Sequence, residues 1–235
     1  MIEITSSTEL PANREPLTLL TSDNLKLVAE LATPIEHTPA AVLLTLHPLP
    51  THGGFMDSHI LRKAANRLPA LADLAVLRFN TRGTSSPQGS SEGSFGDGID
   101  EERDLEAALL FLESRKLGPV WLVGWSFGTE LAIKYGFNKA IAGAILLSPP
   151  LRRAGEQDLM QWIGTGKRLI ALIPEHDEFL APAAAFERFS VLPEAEVIAV
   201  DGAKHLWVGE AATKTVLNEI VRVVNPSKHP LPDSF

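Results

Sequence analysis

Short apolar runs alternate with longer segments of helical period along most of this chain, and that alternation constrains the fold more than any other feature. Each run is rich in leucine, valine, isoleucine or alanine and is bounded by polar, glycine or proline residues, a pattern typical of buried β-strands. We predict strands at residues 16–20, 25–31, 41–46, 75–79, 120–124, 144–148, 169–173 and 195–200. The first two are expected to form a hairpin around residues 22–24.

The segments between the later runs have the spacing of amphipathic helices. In residues 99–117, Leu105 and Leu109 share one face, and Glu101 is expected to lie away from it. Strands that alternate with helices favour a parallel sheet covered by helices on both faces. The predicted fold class is therefore α/β, a mostly parallel, doubly wound sheet in a single domain spanning 1–235, with an irregular tail at 225–235.

Composition narrows the classes of function. The 235 residues, 45% of them hydrophobic, suffice for one substantial core. A net charge of -8 argues against nucleic acid or an anionic membrane surface as the partner, because both would repel the average protein surface. With no cysteine, thiolate chemistry and cysteine metal sites are excluded. Charges interrupt the first twenty residues and no apolar run approaches membrane-spanning length, so we expect a cytoplasmic protein. We further expect a small-molecule partner and no cofactor.

The segment Gly124-Trp125-Ser126-Phe127-Gly128 joins a predicted strand to a predicted helix. A G-x-S-x-G sequence in this context is typical of a tight turn that presents a nucleophilic serine. Gly124 and Gly128 lack the Cβ atoms that would collide in such a bend, and the Phe127 N–H lies where it could stabilise an oxyanion. We predict Ser126 as a nucleophile.

A serine hydroxyl needs a base, expected on a later loop at the carboxyl end of a strand. His205 follows the last apolar run and a glycine-bearing turn, and it precedes a helical stretch. His176 competes poorly because it adjoins the expected acid, and His229 because it lies in the proline-rich tail. We predict His205 as the base that activates Ser126.

The acid that orients the histidine should follow a strand between the serine and the histidine. Three acids, Glu175, Asp177 and Glu178, crowd the turn after the run at 169–173. We favour Asp177, because the turn after Pro174 needs a few residues before a side chain points inward. The sequence leaves Glu175 and Glu178 open.

A second oxyanion donor is expected after the third strand, in His47-Pro48-Leu49-Pro50-Thr51-His52-Gly53-Gly54. Prolines have no N–H, so Leu49 is the predicted donor. The spacing of His47, His52, Asp57 and His59 matches no familiar pattern of metal ligands, so no metal is predicted.

Together these motifs resemble the α/β-hydrolase superfamily, in which the triad follows the order Ser–Asp–His. Within it, the H-P-x-P-x-x-G-G loop and Arg78-Phe79-Asn80-Thr81-Arg82-Gly83 are similar to motifs of small predicted hydrolases. The resemblance spans roughly residues 41–208 and implies the α/β-hydrolase fold. One departure is Leu49, where those relatives often have a second histidine.

Other residues are expected to surround the site. Residues 150–169 leave room for one short helix at most, so no sizeable cap domain is expected and the pocket should be open. Trp125, Arg82 and Leu151 are pocket candidates. For Arg82 two interpretations stay open. It binds a substrate carboxylate or a neighbouring acid, or, as we favour, it bonds backbone carbonyls of the loop at 84–98. This loop is expected to be a mobile surface loop. Arg152-Arg153 is interpreted as solvated loop charge.

The predicted function is hydrolysis of small or exposed carboxylic esters by a serine hydrolase through an acyl-enzyme intermediate. The same residues would serve a peptidase or amidase. A non-catalytic ligand-binding protein on the same fold is the alternative from another class, because a fold does not determine a function.

Overall fold

A computed structural model describes residues 3–235, and eight of its strands form one sheet. The strands of the chain are β1 (Asn13–Leu20), β2 (Lys26–Thr33), β3 (Ala41–Leu46), β4 (Leu74–Phe79), β5 (Ser85–Ser86), β6 (Gly89–Ser90), β7 (Val120–Trp125), β8 (Ile141–Leu147), β9 (Arg168–His176) and β10 (Glu196–Lys204). The helices are α1 (His59–Ala72), α2 (Glu101–Arg115), α3 (Phe127–Tyr135), α4 (Glu156–Met160), α5 (Pro182–Phe189) and α6 (Glu210–Val224). Short 3-10 turns cover Pro50–His52 and Pro226–Lys228.

The order of strands in the sheet is β1-β2-β4-β3-β7-β8-β9-β10. The hairpin β1–β2 is antiparallel and joins β4 in antiparallel fashion, whereas every later pairing is parallel. The prediction of a mostly parallel α/β sheet led by a hairpin is thus confirmed. Because the parallel strands point the same way, the loops that follow β3, β4, β7, β8, β9 and β10 lie at one edge of the sheet.

Alternate residues of the central strands face opposite layers of the core, as the two-residue period of a strand requires. In β3, Leu44 and Leu46 belong to the layer that contains α2, α3 and α5, whereas Leu43 belongs to the layer that contains α1 and α6. Both faces of the sheet are therefore covered by helices. This double burial explains why the central strands read as continuous apolar runs rather than as alternating ones.

The helix α2 buries Leu105 and Leu109 as predicted, but the expectation for Glu101 is wrong. Glu101 is fully buried, and its carboxylate accepts hydrogen bonds from the N–H groups of Gly96 (2.7 Å) and Gly98 (2.8 Å). A buried carboxylate needs such donors, because a charge without them would be strongly destabilising. Glu101 thereby ties the preceding loop to the first turn of α2.

The segment 84–98 lies at the surface, and two of its residues, Ser91 and Glu92, bond the backbone of β2 and of Asn80. It contains the small β5–β6 hairpin, and Ser91 Oγ accepts the Val28 N–H (3.0 Å) and donates to the Asn80 carbonyl (2.8 Å). The Glu92 N–H donates to the Lys26 carbonyl. Side-chain hydroxyls that bond the backbone give this serine- and glycine-rich stretch a defined conformation.

Two segments outside the central strands are the connection between β8 and β9 and the C-terminal tail. The connection between β8 and β9 holds only the five-residue α4, so no cap domain lies over the sheet in residues 3–235. The tail after α6 is largely irregular, although Leu231 is buried and its N–H donates to the Asn218 side chain. Within residues 3–235, no helix is both long and apolar enough to cross a membrane.

Candidate active site

Ser126 lies in a strained turn between β7 and α3. Its φ of 51° and ψ of -114° are rare for a residue with a side chain, and its N–H donates to the Leu147 carbonyl of the neighbouring strand (2.9 Å). A Cβ atom at Gly128 would overlap the Leu46 carbonyl, and one at Gly124 would overlap the Gly128 carbonyl. The two glycines therefore allow α3 to start directly against β3 and β7, which leaves the Ser126 hydroxyl at the sheet edge.

The predicted serine, histidine and aspartate lie in hydrogen-bond contact. His205 Nε2 is 2.9 Å from Ser126 Oγ, and His205 Nδ1 is 2.9 Å from Asp177 Oδ2. Asp177 directly follows β9 and His205 directly follows β10. Three loops far apart in the chain thus meet because their strands end at the same edge of the sheet.

Two side chains hold the loop that carries His205 by donating to its backbone. Trp125 Nε1 and Ser148 Oγ both donate to the His205 carbonyl, each at 3.1 Å. Phe179 meets the imidazole edge-on, with 4.5 Å between the ring centroids. These contacts fix the position of the ring, which is nearly buried at 5% exposure.

Asp177 has the environment of an ionised carboxylate. Burial opposes its ionisation, but hydrogen bonds from His205 and from the N–H groups of Phe179 (2.9 Å) and Leu180 (3.3 Å) outweigh burial, so its pKa lies below the usual value. Of the competing acids, Glu175 is exposed and accepts the Gly202 N–H (2.7 Å), and Glu178 is exposed on the rim of the cavity. Neither bonds His205.

Two residues that line the cavity together with Ser126 have backbone N–H groups without an acceptor in the described part of the chain. Phe127 is the first residue of α3, so its N–H has no acceptor within the helix. The Leu49 N–H has no hydrogen-bond acceptor in residues 3–235. Leu49, Ser126 and Phe127 all line the same cavity. The two residues predicted as oxyanion donors therefore share the cavity with the serine and have N–H groups without an acceptor among the described residues.

His47 supports the loop that carries Leu49. Its Nε2 accepts the Thr81 N–H (3.1 Å), so the proton lies on Nδ1, which donates to the Pro48 carbonyl (2.7 Å). That carbonyl belongs to the same rigid peptide plane as the Leu49 N–H, and a trans peptide holds the two in opposite directions. Burial lowers the pKa of His47 to about 4, which keeps this arrangement neutral.

An open cavity of about 290 Å³ surrounds the serine. Its lining residues are Pro48, Leu49, His52, Trp125, Ser126, Phe127, Pro150, Arg152, Arg153, Glu178, Phe179, His205 and Leu206. Trp125, a pocket candidate from the sequence, lines this cavity and is also part of the core layer that contains α1 and α6. The lining is mainly apolar, with charged side chains near the mouth.

Arg82 and Leu151 do not line this cavity. Arg82 is buried and bonds two carboxylates, with Nε 2.9 Å from Asp104 and Nη1 3.0 Å from Asp23. The favoured interpretation of Arg82, bonding to backbone carbonyls, is therefore wrong, because a buried guanidinium is best compensated by charged acceptors. Leu151 is buried in the core layer of α3, in a left-handed conformation that turns its side chain inward.

The residues weighed as metal ligands do not converge. His47 bonds Thr81 and Pro48, Asp57 pairs with Arg78, and His59 bonds the Leu206 carbonyl (2.7 Å). Within residues 3–235 no group of three or more histidine, aspartate or glutamate side chains is placed to hold a metal ion.

Sequence reasoning missed several residues around the site. Phe179, Pro150, Arg152 and Leu206 line the cavity, and Ser148 supports the histidine loop. All of them follow β8, β9 or β10, so their place after a strand was a signal that could have found them. The dipeptide Arg152-Arg153 was interpreted as solvated charge, whereas both residues lie on the cavity.

One comparison with known proteins identifies the family of this chain. The sequence profile of the Alpha/beta hydrolase family matches residues 43–212, which include all three strand-end loops described above. The chain belongs to the alpha/beta hydrolase family. A comparison with curated protein sequences gives no significant match.

Solved structures of alpha/beta hydrolases share the fold. A serine hydrolase without a lid from Xanthomonas campestris, XC6422, is 22% identical over 96% of this chain and all of its own, with a TM-score of 0.76. An alpha-beta serine hydrolase homologue from Coxiella burnetii is 22% identical over 92% of this chain and 99% of its own (TM-score 0.74). The Pyrococcus furiosus esterase Pf2001 is 18% identical over 91% and 94% (TM-score 0.70). At these identities the likeness concerns the fold.

Proposed function

We propose that this alpha/beta hydrolase cleaves small or exposed carboxylic esters through an acyl-enzyme formed on Ser126. One observation carries the proposal: a strained serine, a histidine and an ionised aspartate form a continuous hydrogen-bonded chain with two spacings of 2.9 Å at an open cavity. Activated serine nucleophiles depend on this arrangement of groups.

In the first half-reaction, Ser126 Oγ attacks the ester carbonyl carbon while His205 Nε2 takes the hydroxyl proton. The tetrahedral intermediate places its negative oxygen against the N–H groups of Leu49 and Phe127. The ionised Asp177 stabilises the imidazolium and holds its Nδ1–H. When the C–O bond of the ester breaks, His205 returns its proton to the alcohol, which leaves the acyl group on Ser126.

The second half-reaction repeats these roles with water. His205 takes a proton from the water as its oxygen attacks the acyl carbon, and the same two N–H groups bind the new oxyanion. The bond from the acyl carbon to Ser126 Oγ then breaks and His205 protonates that oxygen. The acid is released and the serine is restored.

Two features support an ester of limited size. The cavity of about 290 Å³ has no cap over it in the described chain, so a long acyl chain would extend into water. The Pyrococcus furiosus protein that shares the fold is an esterase, which makes esters the first substrates to test. No contact at the cavity in residues 3–235 marks a peptide amine or a protein chain as the preferred substrate.

Labelling with a fluorophosphonate and hydrolysis of p-nitrophenyl acetate test the proposal together. We expect both to be lost in Ser126→Ala and in His205→Ala and to be retained in Ser114→Ala, a matched control on the exposed surface of α2. The double variant should be no slower than either single one, because the two groups act as a unit. Residual turnover by Ser126→Ala above a few per cent of wild type would contradict the nucleophile. Labelling without any ester turnover would contradict the ester substrate.

A further inference from the structure

The mouth of the cavity carries one arginine without an acidic partner. Arg153 pairs with Asp97 at 2.5 Å. Arg152 is exposed on the same rim, and no carboxylate of residues 3–235 lies within 4.0 Å of its guanidinium nitrogens. Glu178, the acid on this rim, does not reach the Arg152 guanidinium. The position of Arg152 beside the cavity therefore leaves a cation available to a ligand.

The backbone that presents Arg152 is held in place. The fully buried carboxylate of Glu130 accepts the N–H groups of Arg152 (2.8 Å), Arg153 (3.1 Å) and Ala154 (2.5 Å). Leu151, just before them, is anchored in the core with φ of 48°. Three charge-assisted hydrogen bonds hold the backbone of this loop. Its side chains therefore lose less conformational entropy when a ligand binds than those of a free loop would.

The guanidinium itself rests on an aromatic ring next to the histidine. Arg152 Cζ lies 4.8 Å from the centre of the Phe179 ring, and Phe179 in turn contacts His205 edge-on. Contact with a ring face leaves the N–H groups at the edge of the guanidinium plane free to donate. Arg152 is thus separated from the proposed base by a single aromatic side chain.

We propose that the ester substrate carries a carboxylate, which Arg152 binds at the mouth of the cavity. This inference rests on the proposed function and names its substrate class. A guanidinium binds a carboxylate through two parallel hydrogen bonds, so Arg152 would select the charge and orient the ester above Ser126. It is a specificity-determining residue, and the bond-making steps do not involve it.

Two observations limit the size of the effect. The chain has a net charge of -8, and Glu178 lies on the same rim, so both oppose an anion. Exposed charge pairs are also weak and screened by salt. We therefore expect Arg152 to favour a carboxylate ester over a matched neutral ester by about five- to tenfold in kcat/KM at low ionic strength.

Matched ester pairs test the proposal on either side of the scissile bond. One pair is 4-carboxyphenyl acetate and 4-carbamoylphenyl acetate, and the other is the monophenyl ester of adipic acid and the phenyl ester of adipamic acid. For each pair, the ratio of kcat/KM for the charged ester to that for the neutral ester is measured in wild type, Arg152→Gln, Arg152→Lys and Glu178→Gln. Arg188→Gln, on the exposed surface of α5 away from the cavity, makes the same change in net charge and serves as the control.

We expect the ratio for at least one pair to fall about five- to tenfold in Arg152→Gln, to be partly retained in Arg152→Lys and to be unchanged in Arg188→Gln. Glu178→Gln should raise this ratio. Added salt should lower the ratio in wild type and leave it unchanged in Arg152→Gln. Unchanged ratios for both pairs in Arg152→Gln, or an equal fall in Arg188→Gln, would overturn the role of Arg152 while ester hydrolysis stands. If wild type hydrolyses none of the four esters, charged or neutral, the result would instead contradict the proposed function, and the substrate assignment with it.

Discussion

Acidification from pH 7 to pH 4 should destabilise the fold through one buried histidine. His47 is 1% exposed, accepts the Thr81 N–H at Nε2 and donates from Nδ1, so a second proton would remove an acceptor and create a buried charge. Burial lowers its pKa from 6.5 to about 4. At 1.36 kcal/mol per pKa unit, this difference corresponds to about 3 kcal/mol of unfolding free energy.

The sign follows from which state binds the proton first. In the unfolded chain His47 protonates near pH 6.5, whereas in the folded protein it stays neutral until about pH 4. Between these values the unfolded state binds more protons, so the stability contributed by neutral His47 is present above pH 6.5 and is lost as pH falls, by up to about 1.4 kcal/mol per pH unit. The loss is complete below pH 4.

Urea unfolding at a series of pH values from 7.5 to 4 measures this directly. The wild-type curve should fall more steeply than that of His47→Gln, and His37→Gln, which changes an exposed histidine, should follow wild type. If His47→Gln fails to fold, the ring signals of His47 in the wild-type NMR spectrum should not titrate above pH 5. Parallel stability curves, or a ring that titrates near pH 6.5, would refute the reasoning.

Three further predictions concern the acid, the turn and the pocket. Asp177→Asn should lower kcat by about three to four powers of ten, because a neutral amide neither stabilises the imidazolium nor holds the imidazole in the required tautomer. Glu175→Gln should have little effect, and steady-state kinetics would show a wrong assignment if the Glu175 change were the damaging one. Gly128→Ala should lower the free energy of unfolding by about 1–3 kcal/mol more than Gly155→Ala, because a Cβ at Gly128 would overlap the Leu46 carbonyl and one at Gly155 would not. Equal urea midpoints for the two variants would contradict this. For p-nitrophenyl esters, kcat/KM should peak at acetyl to butyryl; a steady rise through decanoyl, at about 0.8 kcal/mol per buried methylene, would reveal a cover for the chain.

The sequence alone carried much of the candidate site, because its strongest signals are local. Ser126 was predicted from five residues whose turn requires two glycines, and both glycines make the close contacts that this turn implies. His205 and Asp177 were predicted from their places after apolar runs, which sufficed because parallel strands end at one edge of a sheet. The fold class followed from the same alternation of strands and helices.

What the sequence did not determine depends on contacts between segments distant in the chain. Glu101 reads as a solvent-facing acid of a helix and is buried against glycine N–H groups, and Arg82 takes two carboxylates as partners. The pairing of β3 with β4 and β7, the support of the Leu49 peptide by His47, and the seat of Arg152 on Phe179 have no counterpart in local pattern. The period of apolar residues indicates which face of a helix or strand is buried. The partner of a buried charge depends instead on which two elements pack together in the tertiary structure.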